Sequence, residues 1–231
     1  MRSRSLARAR YSADLLACVA EGWRGLWEDE RLGVIRSARV AAELTTLGAP
    51  PAILTMAARV VQDEVHHVEV CARVLAALEA RPPAHLELAI GIPRRAAPSE
   101  SLVAHALVAE FALGKPLAAA SFATARSAVR EPLLAWAYTE LLHDGARHAT
   151  FGAKAAAWVI RHWTPRQRQA LWTRCLLATE SRPTPRQRHP EAESLGLLPP
   201  EADSTLPRWL LPHLAPLRLV GRPANDSTLV Q

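Results

Sequence analysis

The sequence predicts an all-α protein built as an antiparallel helical bundle. Of its 231 residues, 49% are hydrophobic and only 5% are aromatic, and alanine and leucine make up most of the apolar set. Alanine and leucine favour helix, whereas valine and isoleucine, which favour strands, are too thinly spread for a sheet. Glycines and prolines divide the chain into long segments, as expected at helix ends. A chain of this length can bury one compact core.

These helix-end signals give the order of the elements. A short helix begins after Ser12 and is expected to loosen near Gly22 and Gly25. Pro116 lies inside a later helix, so we expect a kink one turn upstream of it. Five longer helices are predicted at about residues 27–47, 52–80, 99–130, 132–162 and 164–180.

The predicted helices suggest three parts. Residues 1–26 form an N-terminal extension with the short helix. Residues 27–162 form a four-helix bundle of two antiparallel hairpins in tandem. Residues 163–231 contain a further helix, a Pro-rich loop and a tail.

Charge and cysteine content bear on location and partners. The net charge is +6 and the pI about 10.0, but the arginines are scattered and alternate with acids. This favours a solvated surface, with a nucleic-acid or other anionic partner as the alternative. The three cysteines show no CxxC pairing, which indicates a reducing compartment. No apolar run reaches the ~18 residues that span a membrane, so we expect a cytoplasmic protein without a membrane partner. A homodimer stays open.

Two residues on the helix at 52–80 mark the chemical site. Glu64 and His67 are three residues apart, so they share a helix face. Glu30 lies on the preceding helix, eighteen positions before the Gly48–Pro51 turn, and Glu64 lies about fourteen positions after that turn. The helical rise then returns both carboxylates to similar heights on facing helices. A Glu-x-x-His pair that faces a lone Glu is half of a dinuclear carboxylate site.

The second hairpin repeats this arrangement in a weaker form. Glu110 lies on the helix at 99–130, and the next helix carries Asp144-Gly145-Ala146-Arg147-His148. His148 follows Glu110 by 38 residues, against 37 between Glu30 and His67. The turn near residues 131–132 is again placed to bring the paired residues to one height.

These motifs resemble the ferritin-like superfamily, in which each half of a four-helix bundle supplies a Glu and a later Asp-Glu-x-x-His. The resemblance covers residues 27–162 and is most specific in the run Glu30-Arg31 … Leu47-Gly48-Ala49-Pro50 … Asp63-Glu64-Val65-His66-His67. It is similar to bacterial ferritin-like proteins and to di-iron N-oxygenases of the p-aminobenzoate oxygenase type. The resemblance implies a ferritin-like antiparallel four-helix bundle with an additional C-terminal helix and tail. It also implies metal ligands at Glu30, Glu64, His67, Glu110 and His148.

The second half departs from the family pattern at two positions. Gly145 stands where the pattern has the Glu of the second Asp-Glu-x-x-His. Where related sequences read Glu-Gly-x-x-Gly-Glu, this chain ends the stretch Glu110–Lys115 with a lysine. Five ligands then remain where the pattern supplies six, and a lysine there would repel a second cation or pair with an acid. The expected cofactor is iron or manganese, and the sequence leaves open whether the protein binds two ions, one or none.

The remaining acids and histidines near the motifs have other assignments. Asp63 and Asp144 are expected to orient a ligand histidine of the opposite hairpin, with ordinary surface acids as the alternative. His66 is rotated about 100° from its neighbour and is expected to point outward. Glu140 and His143 also spell Glu-x-x-His, but their face diverges from that of the candidate ligands.

Three functions remain open, and the sequence identifies no catalytic residue. The leading hypothesis is a non-haem iron or manganese oxidase or oxygenase that activates dioxygen and acts on a small molecule. The second is a metal-free bundle that serves as a binding or interaction protein, with Lys115 and the remaining acids forming an ion-pair core. The third is an RNA-modifying hydroxylase, which the positive charge would suit. Whether the chain is an enzyme stays open.

Overall fold

The computed structural model describes residue 6 and residues 8–82, 98–180 and 191–197. Within these ranges the secondary structure is all-helical, so the predicted fold class is confirmed there, while the specific ferritin-like arrangement stays a prediction. The predicted tail and most of the predicted Pro-rich loop lie outside the described residues. The helices are α1 Ala13–Thr46, α2 Pro51–Ala77, α3 Glu100–Ala128, α4 Pro132–Leu142, α5 Gly145–Val159 and α6 Pro165–Glu180, with 3₁₀ turns at Arg8–Arg10 and Ala192–Leu195.

The first helix is longer than the sequence predicted. Ser12 caps it, as expected, and its side chain accepts a hydrogen bond of 3.2 Å from a backbone N–H of the first turn. The helix then continues through Gly22 and Gly25, so the predicted loosening there is wrong. Trp23, between the two glycines, is 1% exposed, and burying such a side chain outweighs the roughly 1 kcal/mol cost of a helical glycine. The division at residue 26 therefore falls inside a continuous helix.

A tight turn joins α1 to α2. Gly48 has a φ of +75°, a left-handed conformation that glycine adopts without steric cost. Pro50 is the N-cap of α2, and Pro51 opens that helix, where the missing proline N–H has no partner to lose. The turn reverses the chain, so that the middle of α1 faces the middle of α2.

The third helix contains a π-helical segment, Leu107–Gly114, just before Pro116. The Lys115 N–H bonds to the Glu110 carbonyl, five residues back, instead of the usual four. A proline ring crowds the carbonyl four residues before it, and the wider π turn relieves that crowding. The predicted irregularity upstream of Pro116 therefore takes the form of a π segment.

The predicted single helix from Pro132 to His162 is wrong, because the chain forms two helices there. α4 ends at Leu142, and α5 begins at Gly145. Asp144 lies between them with φ −106° and ψ −8°. Its carboxylate contacts neighbouring polar side chains, and the glycine after it has a weak helix propensity, so this is the point where the helix interrupts.

Two apolar clusters enclose a polar layer. One cluster contains Leu44, Val60, Leu107 and Phe151, and the predicted extra helix α6 packs on it through Leu171. The second cluster is built from the other ends of α1, α2 and α3 and from α4, with Ala192, Leu195 and Leu197 added to it. Its largest buried members include Trp23, Leu75, Leu133, Leu134 and Leu195. The buried charged residues of α1, α2 and α5 fall in sequence between the two clusters.

One described helix, α3, is long and apolar enough by composition to cross a membrane, although Glu110 and Lys115 interrupt its apolar residues. Half of its most apolar window is buried within the protein. A core helix shows the same composition, and the buried Leu107, Val108 and Phe111 of α3 all belong to the apolar cluster. The cytoplasmic location stays a prediction.

Candidate metal centre

Three buried side chains from α1 and α2 converge in the polar layer. They are Glu30, Glu64 and His67, which are 5%, 0% and 3% exposed. One donor atom from each lies within 4.8 Å of the other two. The spacing of three residues gives Glu64 and His67 one face of α2, and the turn at Gly48 returns the chain to the level of Glu30. This buried cluster of two carboxylates and an imidazole could hold a metal ion.

Each ring nitrogen of His67 faces a carboxylate. Nδ1 lies 3.3 Å from Glu30 Oε2, and Nε2 lies 3.5 Å from Asp144 Oδ2. Asp144 stands at the break between α4 and α5, which frees its side chain to reach α2. A histidine that binds a metal through one nitrogen usually donates its other N–H to a carboxylate or carbonyl, and His67 has such a partner in Asp144.

His148 of α5 repeats this arrangement from the other hairpin. Its Nδ1 lies 3.4 Å from Glu64 Oε1, and its Nε2 lies 3.2 Å from Asp63 Oδ2. The rings of His148 and His67 are 5.9 Å apart. Both histidines therefore direct Nδ1 to the centre and Nε2 to an aspartate of the opposite hairpin. The sequence predicted these cross-pairs, and the role of the two aspartates toward a metal stays a prediction.

Lys115 reaches the centre from α3. Its Nζ donates to Glu64 Oε2 at 2.8 Å and lies 2.7 Å from Glu64 Oε1. Glu30 Oε2 is 3.6 Å from the same atom. The ammonium therefore lies beside both oxygens of one buried carboxylate and close to a second carboxylate. The sequence placed a lysine near the site, and the structure shows which acids it contacts.

The pKa values follow from this crowding. Burial alone would raise the pKa of Glu30, but Lys115 and His67 lower it to about 2. Burial raises the pKa of Glu64 to about 7, against the opposing charge of Lys115 and with the added charge of Glu30. For Lys115, burial would lower the pKa, but Glu30 and Glu64 raise it instead. At neutral pH Glu30 is therefore ionised and Lys115 carries its proton.

The two histidines shift in opposite directions. For His67, burial would lower the pKa, but the neighbouring Glu30 and Glu64 raise it. For His148, burial and the positive charges of Lys115 and His67 lower the pKa to about 4. A neutral His148 has a lone pair available for a cation, whereas the carboxylates around His67 favour its protonated form, which has none.

Arg147 is a site residue to which the sequence assigned no role. Its Nε donates to Asp63 Oδ2 at 2.9 Å, and its Nη2 bonds to Asp144 Oδ1. One guanidinium thus holds both aspartates that face the two histidines. Burial would raise the pKa of Asp144, but His143 and Arg147 lower it. The available signal was an arginine three residues after Asp144, directly beside His148.

Gly33 is a second residue that the sequence did not single out. It lies three residues after Glu30 on α1, and a Cβ at this position would collide with Glu64 Oε2. Its missing side chain therefore makes the space that the Glu64 carboxylate occupies beside Lys115. A glycine within a helix, one turn from a buried acid, was the signal that could have identified it.

The other predicted residues lie around this cluster. Glu110 is half-buried on the π segment and is not a member of the Glu30, Glu64 and His67 group; its ligand role stays a prediction. His66 is on the surface, as expected, with its Nε2 3.4 Å from Glu140 Oε2. His143 is exposed and lies 2.9 Å from Asp144 Oδ1.

The cluster of Glu30, Glu64 and His67 could hold a metal ion, and no second group of this kind occurs among the described residues. Glu64 Oε1 and His67 Nε2 form no hydrogen bond within the described part of the chain, although Lys115 Nζ lies 2.7 Å from the first atom and Asp144 Oδ2 lies 3.5 Å from the second. On the second side, Gly145 offers no carboxylate, and a Cβ there would meet Ala119 Cβ at 3.1 Å. Lys115 Nζ lies beside both oxygens of Glu64, where a second cation would have to contact that carboxylate.

No family model, curated protein or solved structure matches this chain. The ferritin-like resemblance therefore rests on the residues that carry it, namely the Glu30 and Glu64-x-x-His67 pattern and its weaker copy. What the structure adds is the convergence of these three side chains in a buried polar layer.

Proposed function

We propose that this chain is a ferritin-like metalloprotein that binds one divalent iron or manganese ion at Glu30, Glu64 and His67 and oxidises a small molecule with dioxygen. The observation that carries the proposal is the convergence of these three buried donors within 4.8 Å. Carboxylate oxygens and one imidazole suit iron and manganese, and three protein ligands leave positions for water or substrate. An ion bound there would act as a Lewis acid and a one-electron redox centre.

The surrounding residues have defined tasks in this proposal. Asp144 fixes the ring of His67 through Nε2, so that Nδ1 stays directed at the centre. Arg147 holds Asp144 in turn, and its other donor holds Asp63 against His148. The apolar clusters on either side exclude bulk water from the carboxylates, which strengthens their attraction for a cation.

The metal-free interaction protein is the second candidate, and Lys115 is the observation that favours it. Its ammonium already lies 2.7 and 2.8 Å from the two oxygens of Glu64 and 3.6 Å from Glu30. The carboxylate pair therefore has a counter-ion without any metal. Metal content after anaerobic reconstitution separates the two candidates.

The test is an anaerobic titration with Fe(II) and with Mn(II), followed by elemental analysis. We expect one ion per chain in the wild type. His67→Gln should weaken binding by more than the roughly 10–100-fold that loss of an outer partner costs. His66→Gln is the matched control, because His66 is the adjacent residue and lies on the surface. If the wild type binds neither ion, or if both variants bind like the wild type, the metal proposal is lost.

Oxidation is tested separately from binding. The ferrous protein is mixed with dioxygen, and formation of ferric iron is followed by absorbance against free Fe(II) in the same buffer. We expect the bound ion to oxidise faster than the free ion and His66→Gln to match the wild type. A bound ion that oxidises no faster than free Fe(II) would remove the oxidase part and leave metal binding intact.

A further inference from the structure

We infer that the Lys115 ammonium takes the place of a second metal ion beside the carboxylates of Glu30 and Glu64, as the fixed positive charge of that pair. The inference concerns the centre of the proposed function, but it requires only the carboxylate pair of Glu30 and Glu64. It can therefore fail or stand independently of metal binding at the triad.

The first argument is position. Lys115 Nζ is 2.7 and 2.8 Å from the two Glu64 oxygens and 3.6 Å from Glu30 Oε2. A cation that bridges two carboxylates must lie close to both of them, and the ammonium does so. The neutral His148, whose Nδ1 lies 3.4 Å from Glu64 Oε1, flanks the same carboxylate from α5.

The second argument is charge. Glu30 and Glu64 are 5% and 0% exposed, and two carboxylates in such surroundings need a counter-ion. The lysine side chain is 22% exposed, so its charge is largely shielded from solvent and acts on the acids. A second divalent ion beside this ammonium would meet a fixed like charge at short range.

The third argument is that two departures from the repeated motif fit one explanation. Loss of the carboxylate at Gly145 removes a ligand of the second ion, and gain of the cation at Lys115 supplies the missing positive charge. Either change alone would leave the centre unbalanced. Glu64 can still serve the first ion, because each carboxylate oxygen has two lone pairs, so one oxygen can contact both cations.

The test compares Lys115→Met with Lys154→Met. Lys154 is the only other lysine of the chain, and it is exposed on α5. Melting curves are recorded with a chelator and with Mn(II). In chelator, we expect Lys115→Met to melt roughly 6 °C or more below the wild type. Lys154→Met should melt at the same temperature as the wild type. Mn(II) should recover most of the loss in Lys115→Met.

Two further variants sharpen the test. Lys115→Arg keeps the charge and should melt close to the wild type. The double variant Lys115→Met with Gly145→Glu should bind one more ion than the wild type in the anaerobic titration, because it removes the resident cation and restores the carboxylate. If Lys115→Met does not fold, the number of bound ions is measured for Lys115→Arg and for Gly145→Glu alone in the same titration. Both variants should bind as many ions as the wild type.

The outcomes separate the two proposals. Equal melting of Lys115→Met and Lys154→Met in chelator would overturn the inference, as would a Lys115→Arg variant as unstable as Lys115→Met or an unchanged stoichiometry in the double variant. A wild type without metal, together with a Lys115→Met variant that Mn(II) stabilises, would remove the proposed function and leave the inference standing. If the wild type binds one ion and Lys115→Met melts like the wild type in chelator, the proposed metal binding stands and the inference about Lys115 is overturned.

Discussion

The two hairpins bring the same kinds of residue to the polar layer by different routes. In the first, α2 passes through the layer as one unbroken helix and presents Glu64 and His67 on one face. In the second, the chain breaks between α4 and α5, and Gly145 stands at the start of α5. His148 lies in the layer, but the residue three positions before it is a glycine and not an acid.

The comparison shows that a glycine at position 145 and a break in the helix at Asp144 are compatible with each other. An interrupted helix tolerates glycine in its first turn, and the break frees the Asp144 side chain to reach His67. Arg147 then ties Asp144 to Asp63, the partner of His148. The second hairpin thus contributes Asp144 beside His67 of the first hairpin, and Arg147 beside Asp63.

The largest predicted effect is that of removing a buried charge from the first hairpin, α1 and α2. Glu30→Gln should lower the free energy of unfolding at neutral pH by about 3 kcal/mol, because Lys115 and His67 hold the pKa of this carboxylate at about 2. Glu110→Gln changes the half-buried acid of the second hairpin and should cost less. Chemical denaturation of both variants measures the difference. Equal losses would show that the two halves carry equal weight and would break the comparison.

The next effect is a pH response of opposite sign from the two histidines. His67 has a raised pKa, so its stabilisation is present below the unfolded value of 6.5 and is lost as pH rises through the folded value. His148 has a pKa lowered to about 4, so its contribution is present above 6.5 and is lost as pH falls from 6.5 through 4. The His148 contribution is on the order of 3 kcal/mol.

Histidine NMR and denaturation at several pH values test this sign. His148→Gln should flatten the loss of stability on the acid side, and His67→Gln should flatten the loss on the alkaline side. His66→Gln, on the surface, should change neither limb. If His67 and His148 titrate together, the electrostatic asymmetry between the two hairpins does not exist.

The smallest predicted effect on stability concerns Gly33. Gly33→Ala gains about 0.5–1 kcal/mol of helix propensity, but the added Cβ must displace the Glu64 carboxylate, so the net change should stay within about 1 kcal/mol. The affinity for Mn(II) should nevertheless fall by about tenfold or more, because Glu64 is moved from its position. Gly25→Ala is the matched control: a Cβ there meets nothing within 4 Å, so stability should rise and the affinity should not change.

Much of this arrangement could be predicted from local patterns. The Ser12 cap, the Gly48 turn and the three-residue spacing of Glu64 and His67 each depend on a few neighbouring residues, and the structure contains all three. The pairing of Asp63 with His148 also followed from the repeat of one motif in two hairpins.

The remaining features depend on contacts between distant segments. Continuity of α1 through Gly22 is decided by burial of side chains around it, and glycine propensity alone predicted the opposite. The roles of Arg147 and Gly33 exist only because α5 and α1 meet α2 at one level. The break at Asp144 combines a local signal, the glycine that follows it, with the contact between its carboxylate and His67 of α2, which no local pattern encodes.

The π segment of α3 changes the direction in which the side chains after it point. A π turn holds one residue more than an α turn, so the part of α3 after Gly114 is rotated as if one residue had been inserted. If Leu107–Gly114 formed an α-helix with the same number of residues, Lys115 would be turned by about 100° from its acids. The position of the Lys115 ammonium beside Glu64 thus depends on the π geometry of Leu107–Gly114 as well as on the residue at position 115.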